Sequence, residues 1–161
     1  QVEEEVRKLE DEGVSSSRVF VGGFSMGGCL ALEVLGYQPL ATTIAGVFSH
    51  ASFLNDDSAA FETATAIGTP VYSSHGTADG MVKAAWGRAT AERLRGRGFD
   101  LSFAEHDGLD HELGEAQIAG LLDWMSSVVD RPGFGQPRKA GEGGDGGRIS
   151  PESGAEAEAG A

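Results

Sequence analysis

Cysteine is nearly absent: Cys29 is the only one in 161 residues. That excludes an intramolecular disulfide and favours a reducing compartment. No stretch approaches the ~20 consecutive apolar residues of a membrane span, so stable membrane insertion is not expected. Basic residues are scarce, 12 against 25 acidic, for a formal net charge of −13. Nucleic acid and anionic membrane surfaces both require clustered Lys and Arg, so neither is an expected partner. No basic leader with an apolar core opens the chain, which starts at Gln1, so no secretory signal is expected. Cysteine pairs are missing, and His111-Glu112-Leu113-Gly114-Glu115 lacks the second histidine of H-E-x-x-H. A bound metal is therefore not expected.

What is present suffices for one packed domain, with 40% hydrophobic residues. Residues 1–12 read as a helix, with Val2, Val6 and Leu9 on one face, acidic residues in the first turn and Gly13 as the stop. Val19–Val21, Ala45–Phe48, Pro70–Ser74 and Leu101–Ala104 are short apolar runs of the kind buried on both sides in a parallel sheet. Helical patterns follow at Met26 to about Tyr37, at Val82–Leu94, and along a stripe of Ile118, Leu121, Leu122, Met125 and Val129. Trp86 and Trp124 fall among apolar partners and read as core. Alternating strands and helices imply an α/β fold, a parallel sheet flanked by helices. The pattern stops at Asp130, so residues 1–130 form the expected domain. Residues 131–161, rich in Gly and holding only Phe134 and Ile149 as large aliphatic or aromatic side chains, are an expected disordered tail.

Gly23-Phe24-Ser25-Met26-Gly27 has the form G-x-S-x-G, a weak signal in a chain with 25 Gly. Its setting gives it weight, because a strand pattern runs in and a helix pattern runs out. In such an elbow Gly23 and Gly27 keep Cβ atoms out of a tight approach, Gly28 extends it, and Ser25 is lifted above the sheet as a nucleophile. The Met26 N–H then faces the developing oxyanion. The bland alternative is a Gly-rich turn that binds a phosphate or nothing.

A serine nucleophile needs a base, and the base needs a carboxylate to fix its tautomer. Asp79, in His75-Gly76-Thr77-Ala78-Asp79, follows the third strand pattern. His111 follows the fourth, so the order is serine, acid, histidine, with all three on loops at the carboxyl edge of the sheet. His106 is a competing base at the end of a strand. His75 reads as orienting the Asp79 loop, His50 as lining the site, and Asp107 and Asp110 as solvated loop charges. Cys29 reads as a packing residue.

These residues resemble the phospholipase/carboxylesterase branch of the α/β-hydrolases, which includes acyl-protein thioesterases and lysophospholipases. The resemblance is carried by Gly23–Cys29, Ala45–Phe48, Ser52–Asn55, His75–Asp79 with Val82, and His111–Leu113, and it spans most of 13–130. It implies a cytosolic, cofactor-free serine hydrolase whose substrate is an acyl ester or an acylated protein. Ser25, Asp79 and His111 match the family's triad, and Ser52, Phe53 and Leu54 match a region near its acyl pocket. The resemblance also implies several strands and a second oxyanion donor ahead of the nucleophile. Only 24 residues precede Ser25, so the expectation is the C-terminal half of the fold with an exposed edge at Val19. Two alternatives stay open: an inactive, truncated or non-catalytic binding protein that retains the triad, and a dienelactone-hydrolase-like enzyme. The latter group uses Cys where this chain has Ser25.

Overall fold

The computed structural model describes residues 1–62 and 68–136. The chain opens with α1 (Val2–Asp11), which ends at Gly13 with φ +90°, a left-handed backbone that glycine adopts without strain. It continues through β1 (Phe20–Phe24), α2 (Met26–Glu33), the one-turn α3 (Gln38–Ala41), β2 (Gly46–His50) and β3 (Val71–Gly76). α4 (Ala84–Gly96), β4 (Leu101–His106) and α5 (Glu115–Val129) complete it.

The four strands form one parallel sheet in the order β1-β2-β3-β4, with Phe24 opposite His50, His50 opposite Ser74, and Gly76 opposite His106. All strands therefore point the same way, and their following loops share one edge. Alternation along the strands divides the side chains between two layers. Val47 and Val71 pack with Leu32 and Leu35, Leu94 of α4 and Val6 of α1. On the opposite face α5 places Leu121, Trp124 and Val128 against Tyr72, with Phe20 and Phe48 alongside. Gly46 lets the Trp124 ring come down onto β2, where a Cβ would lie 3.0 Å from it. Among the described residues β1 pairs only with β2, so it forms a sheet edge, with Phe20, Val21 and Phe24 half-buried.

Within the helices, three sequence readings change. The α2 pattern does not run to Tyr37; it ends at Glu33 and passes into a 3₁₀ turn at Val34–Gly36. Gly36 is pressed against the next segment, where a Cβ would sit 2.7 Å from the Ala60 nitrogen. On α5, Ile118, Leu122 and Val129 are exposed, and the buried face is Gln117, Leu121, Trp124 and Val128. Trp86 is 45% exposed and packs on Phe53 rather than in the core. Of the expected tail, residues 137–161 lie outside the described residues. Residues 131–136 fold back, with Phe134 stacked on Phe20 at 6.5 Å and Arg131 paired with Asp100 at 2.7 Å.

Candidate active site

Ser25 sits between β1 and α2 with φ 54° and ψ −123°, a conformation that costs a non-glycine residue of order 1–3 kcal/mol. The surroundings fix it. Its N–H donates to the His50 carbonyl at 2.9 Å, and its own carbonyl accepts from the Cys29 N–H at 3.0 Å and the Ser52 hydroxyl at 2.9 Å. Gly23 makes the elbow possible, because a Cβ there would fall 2.5 Å from the Gly27 carbonyl carbon. The second glycine needed on steric grounds is Gly28, where a Cβ would collide with the Ser52 hydroxyl and lie 2.8 Å from the Gly23 oxygen. Gly27 has open space around it, so the close approach expected there belongs to Gly28. Met26 opens α2, and its N–H is one of the amides that a helix leaves without an internal acceptor.

The structure brings together the three residues that the sequence separates. His111 Nε2 lies 3.0 Å from Ser25 Oγ, and His111 Nδ1 lies 2.9 Å from Asp79 Oδ2. The His111 ring rests on Phe24 at 4.7 Å between centroids, a contact made by the variable residue of the elbow motif. Asp79 is nearly buried. Burial pushes its carboxyl up, but the hydrogen bond from His111 and those from the Val82 and Met81 N–H groups outweigh it and hold the carboxyl below its ordinary 3.8. His75 lies beneath this loop, fully buried. Its Nε2 donates to the Val82 carbonyl at 2.9 Å and stands 3.4 Å from Asp79 Oδ2.

The competing histidines have other surroundings. His106 Nε2 is buried without a hydrogen-bond partner. His50 is 2% exposed, and its Nδ1 lies 2.6 Å from the Ser74 hydroxyl. Burial, with a smaller push from His106, lowers its pKa from the ordinary 6.5 to about 4. Ser74 also accepts from Gln117 Nε2 at 2.8 Å, a buried link that the apolar reading of α5 missed.

Ser52 is buried and supports the elbow. Leu54 is buried in the core, its N–H held by Thr90 at 3.0 Å. Phe53, half-buried, faces outward against Trp86 at 5.2 Å. Asp107 and Asp110, read from sequence as solvated charges, bond across to the Asp79 loop. Among the described residues no group of three or more His, Cys, Asp or Glu side chains could hold a metal ion, and no helix is long and apolar enough to cross a membrane.

Residues 1–128 match the phospholipase/carboxylesterase family. Lysophospholipase-like protein 1 of Mus musculus is 35% identical over 127 residues, 77% of this chain and 51% of that protein. Acyl-protein thioesterase 1 of Candida albicans is 26% identical over 120 residues, covering 71% and 51%. A rice (Oryza sativa subsp. japonica) protein named a probable inactive carboxylesterase is 31% identical over 121 residues, covering 75% and 49%. The chain thus spans about half the length of the curated relatives it matches. Among solved structures, SOBER1 of Arabidopsis thaliana superposes with a TM-score of 0.71 at 25% identity, over 80% of this chain and 61% of its own. The parallel sheet, the glycine-bounded elbow and a match running from the first residue to Val128 in the last turn of α5 lead to one assignment: the chain belongs to the phospholipase/carboxylesterase family.

Proposed function

We propose that the chain carries the reactive groups of a serine hydrolase of carboxylic esters or thioesters. The observation that supports it most is the unbroken hydrogen-bonded path from Ser25 Oγ through His111 to Asp79 Oδ2. In this reading Ser25 Oγ attacks the acyl carbonyl while His111 Nε2 takes its proton. The carbonyl oxygen becomes an oxyanion that the Met26 N–H stabilises at the positive end of α2. As the tetrahedral intermediate collapses, His111 returns the proton to the leaving alcohol or thiol. Water then releases the acyl group from Ser25 by the same route in reverse. Asp79 keeps the proton on Nδ1, so that the Nε2 lone pair faces the serine.

An acyl substrate suits the surroundings. Met26 is 85% exposed next to Ser25, Met81 is exposed next to the Asp79 side of the site, and Leu113 is exposed two positions beyond His111. Phe53 and Trp86 add an aromatic pair near the elbow, because Phe53 follows the Ser52 that bonds Ser25. Of Ser52–Leu54, Phe53 is the residue that an acyl chain would meet.

The test is labelling by a fluorophosphonate probe. Labelling of the wild type that disappears in Ser25→Ala is expected, and equal labelling of the mutant would sink the assignment. A second reading, a non-catalytic protein that retains the triad, is favoured by the rice relative named a probable inactive carboxylesterase. It predicts no turnover of p-nitrophenyl acetate and no Ser25 labelling.

A further inference from the structure

We propose that Asp110 is a positioning residue that latches the loop bearing Asp79 to the loop bearing His111. The proposal rests on the reading of Ser25, His111 and Asp79 as the reacting groups. One carboxylate oxygen, Asp110 Oδ1, accepts the Gly80 N–H at 3.0 Å and the His111 N–H at 2.8 Å. The first donor is the residue next to the acid, and the second is the base itself. No other side chain among the described residues takes N–H groups from both loops through a single atom.

Apart from the His111–Asp79 bond itself, the remaining contacts between the loops lie further from the site. The Ala78 N–H donates to the Leu109 carbonyl at 3.0 Å. The Gly108 N–H donates to Thr77 Oγ1 at 2.9 Å, and the Thr77 hydroxyl donates to Asp107 at 3.0 Å. Gly76 admits this crossing, since a Cβ there would collide with the Leu109 carbonyl. These contacts fix the bases of the two loops. Asp110 ties them where Asp79 and His111 must meet.

The bonds are to an ionised acceptor, which makes them stronger than neutral ones. Consistently, the N–H groups of Gly80 and His111 hold the Asp110 carboxyl below its ordinary 3.8. The position is exposed, so the latch adds little to global stability. Its effect is on alignment, and a misplacement of about 1 Å between reacting groups costs roughly a hundredfold in rate.

The test compares wild type, Asp110→Ala, Asp110→Asn and the remote surface variant Asp57→Ala. Three quantities are read: the downfield proton resonance of His111 Nδ1–H, the rate of fluorophosphonate labelling, and the thermal midpoint. The latch predicts that Asp110→Ala broadens or abolishes the resonance and slows labelling about tenfold or more, with a midpoint close to wild type. Asp110→Asn keeps an acceptor oxygen and restores the resonance, and Asp57→Ala changes nothing. A sharp, unshifted resonance in Asp110→Ala would overturn the latch, as would an Asp110→Asn variant no better than the alanine. A wild type without the resonance would also overturn it. A wild type that shows the resonance but does not label Ser25 would count against the hydrolase reading alone, and the resonance in Asp110→Ala would still decide the latch.

Discussion

The hydroxyl of Ser52 lies 2.9 Å from the carbonyl oxygen of Ser25 and 2.6 Å from that of His50. The residue two positions past the end of β2 thereby holds the strained turn at the end of β1. The same oxygen fills the space in which Gly28 has no Cβ, so the two positions are coupled. Ser52→Ala should cost about 1 kcal/mol, the net worth of a buried hydrogen bond. Gly28→Ala should cost about 3 kcal/mol or more, because the new methyl meets an occupied site. The double variant should cost less than the sum, since removing the hydroxyl opens part of the clash. Urea unfolding of the four proteins checks this, and strict additivity would show that the clash is relieved elsewhere.

The two glycines of the elbow motif should respond in opposite ways. At Gly23 an added methyl faces backbone atoms of Gly27 and Gly28, which no rotamer change can move aside. Gly23→Ala should therefore leave little folded protein. At Gly27 the space is open and the backbone is helical, so Gly27→Ala should be neutral or stabilising by up to about 1 kcal/mol. Circular dichroism with thermal melts separates the two outcomes.

Stability should fall in two separate acid windows. The folded pKa of His50, about 4, lies below its ordinary 6.5, so unfolding takes up a proton once the pH drops below 6.5. Stability then declines from about pH 6.5 to about pH 4 and levels off. Asp79 is held below 3.8 when folded, so what it contributes is present at neutral pH and is lost only below that value. In His50→Gln the upper window should flatten while the lower one persists. Denaturant midpoints at pH 7, 5 and 3 measure both.

The folded unit should extend six residues past the boundary suggested by composition. Residues 131–136 add the Phe134–Phe20 stacking and the Arg131–Asp100 pair. A chain ending at Asp130 should be less stable by about 1 kcal/mol than one ending at Gln136, mostly from the aromatic contact. Equal melting temperatures would show that this segment adds nothing.

Much of the architecture is legible because each buried strand is written as an apolar run, yet three of the four runs stop two residues short. β2 continues into Ser49-His50, β3 into His75-Gly76 and β4 into Glu105-His106. These last positions are polar or glycine, and His50, His75 and Gly76 among them carry the elbow and the Asp79 loop, so hydrophobicity marks the middle of the strands and misses their ends. Ser25, Asp79 and His111 are readable from motif and order. Their supports are not. Asp110 looks like any loop carboxylate until Gly80, thirty residues away in sequence, is seen to face it. Gln117 looks like a surface residue on α5, but the polar end of β3 draws it inward to Ser74 in place of the apolar Ile118. Trp86 follows the helical pattern of α4 yet ends beside Phe53, because the face it occupies is turned partly to solvent.

That placement of Trp86 gives the protein two optical reporters with separate assignments. Trp124 is packed between Phe20 and Tyr72, on the face of the sheet away from α4, and its emission follows unfolding of the whole domain. Trp86 lies partly in solvent, with Lys83 5.8 Å from its ring and Phe53 alongside, so its emission follows what rests against Phe53. In a Trp86→Phe variant the remaining fluorescence isolates folding. The difference from wild type then becomes a label-free signal for molecules that settle on the Phe53–Trp86 pair.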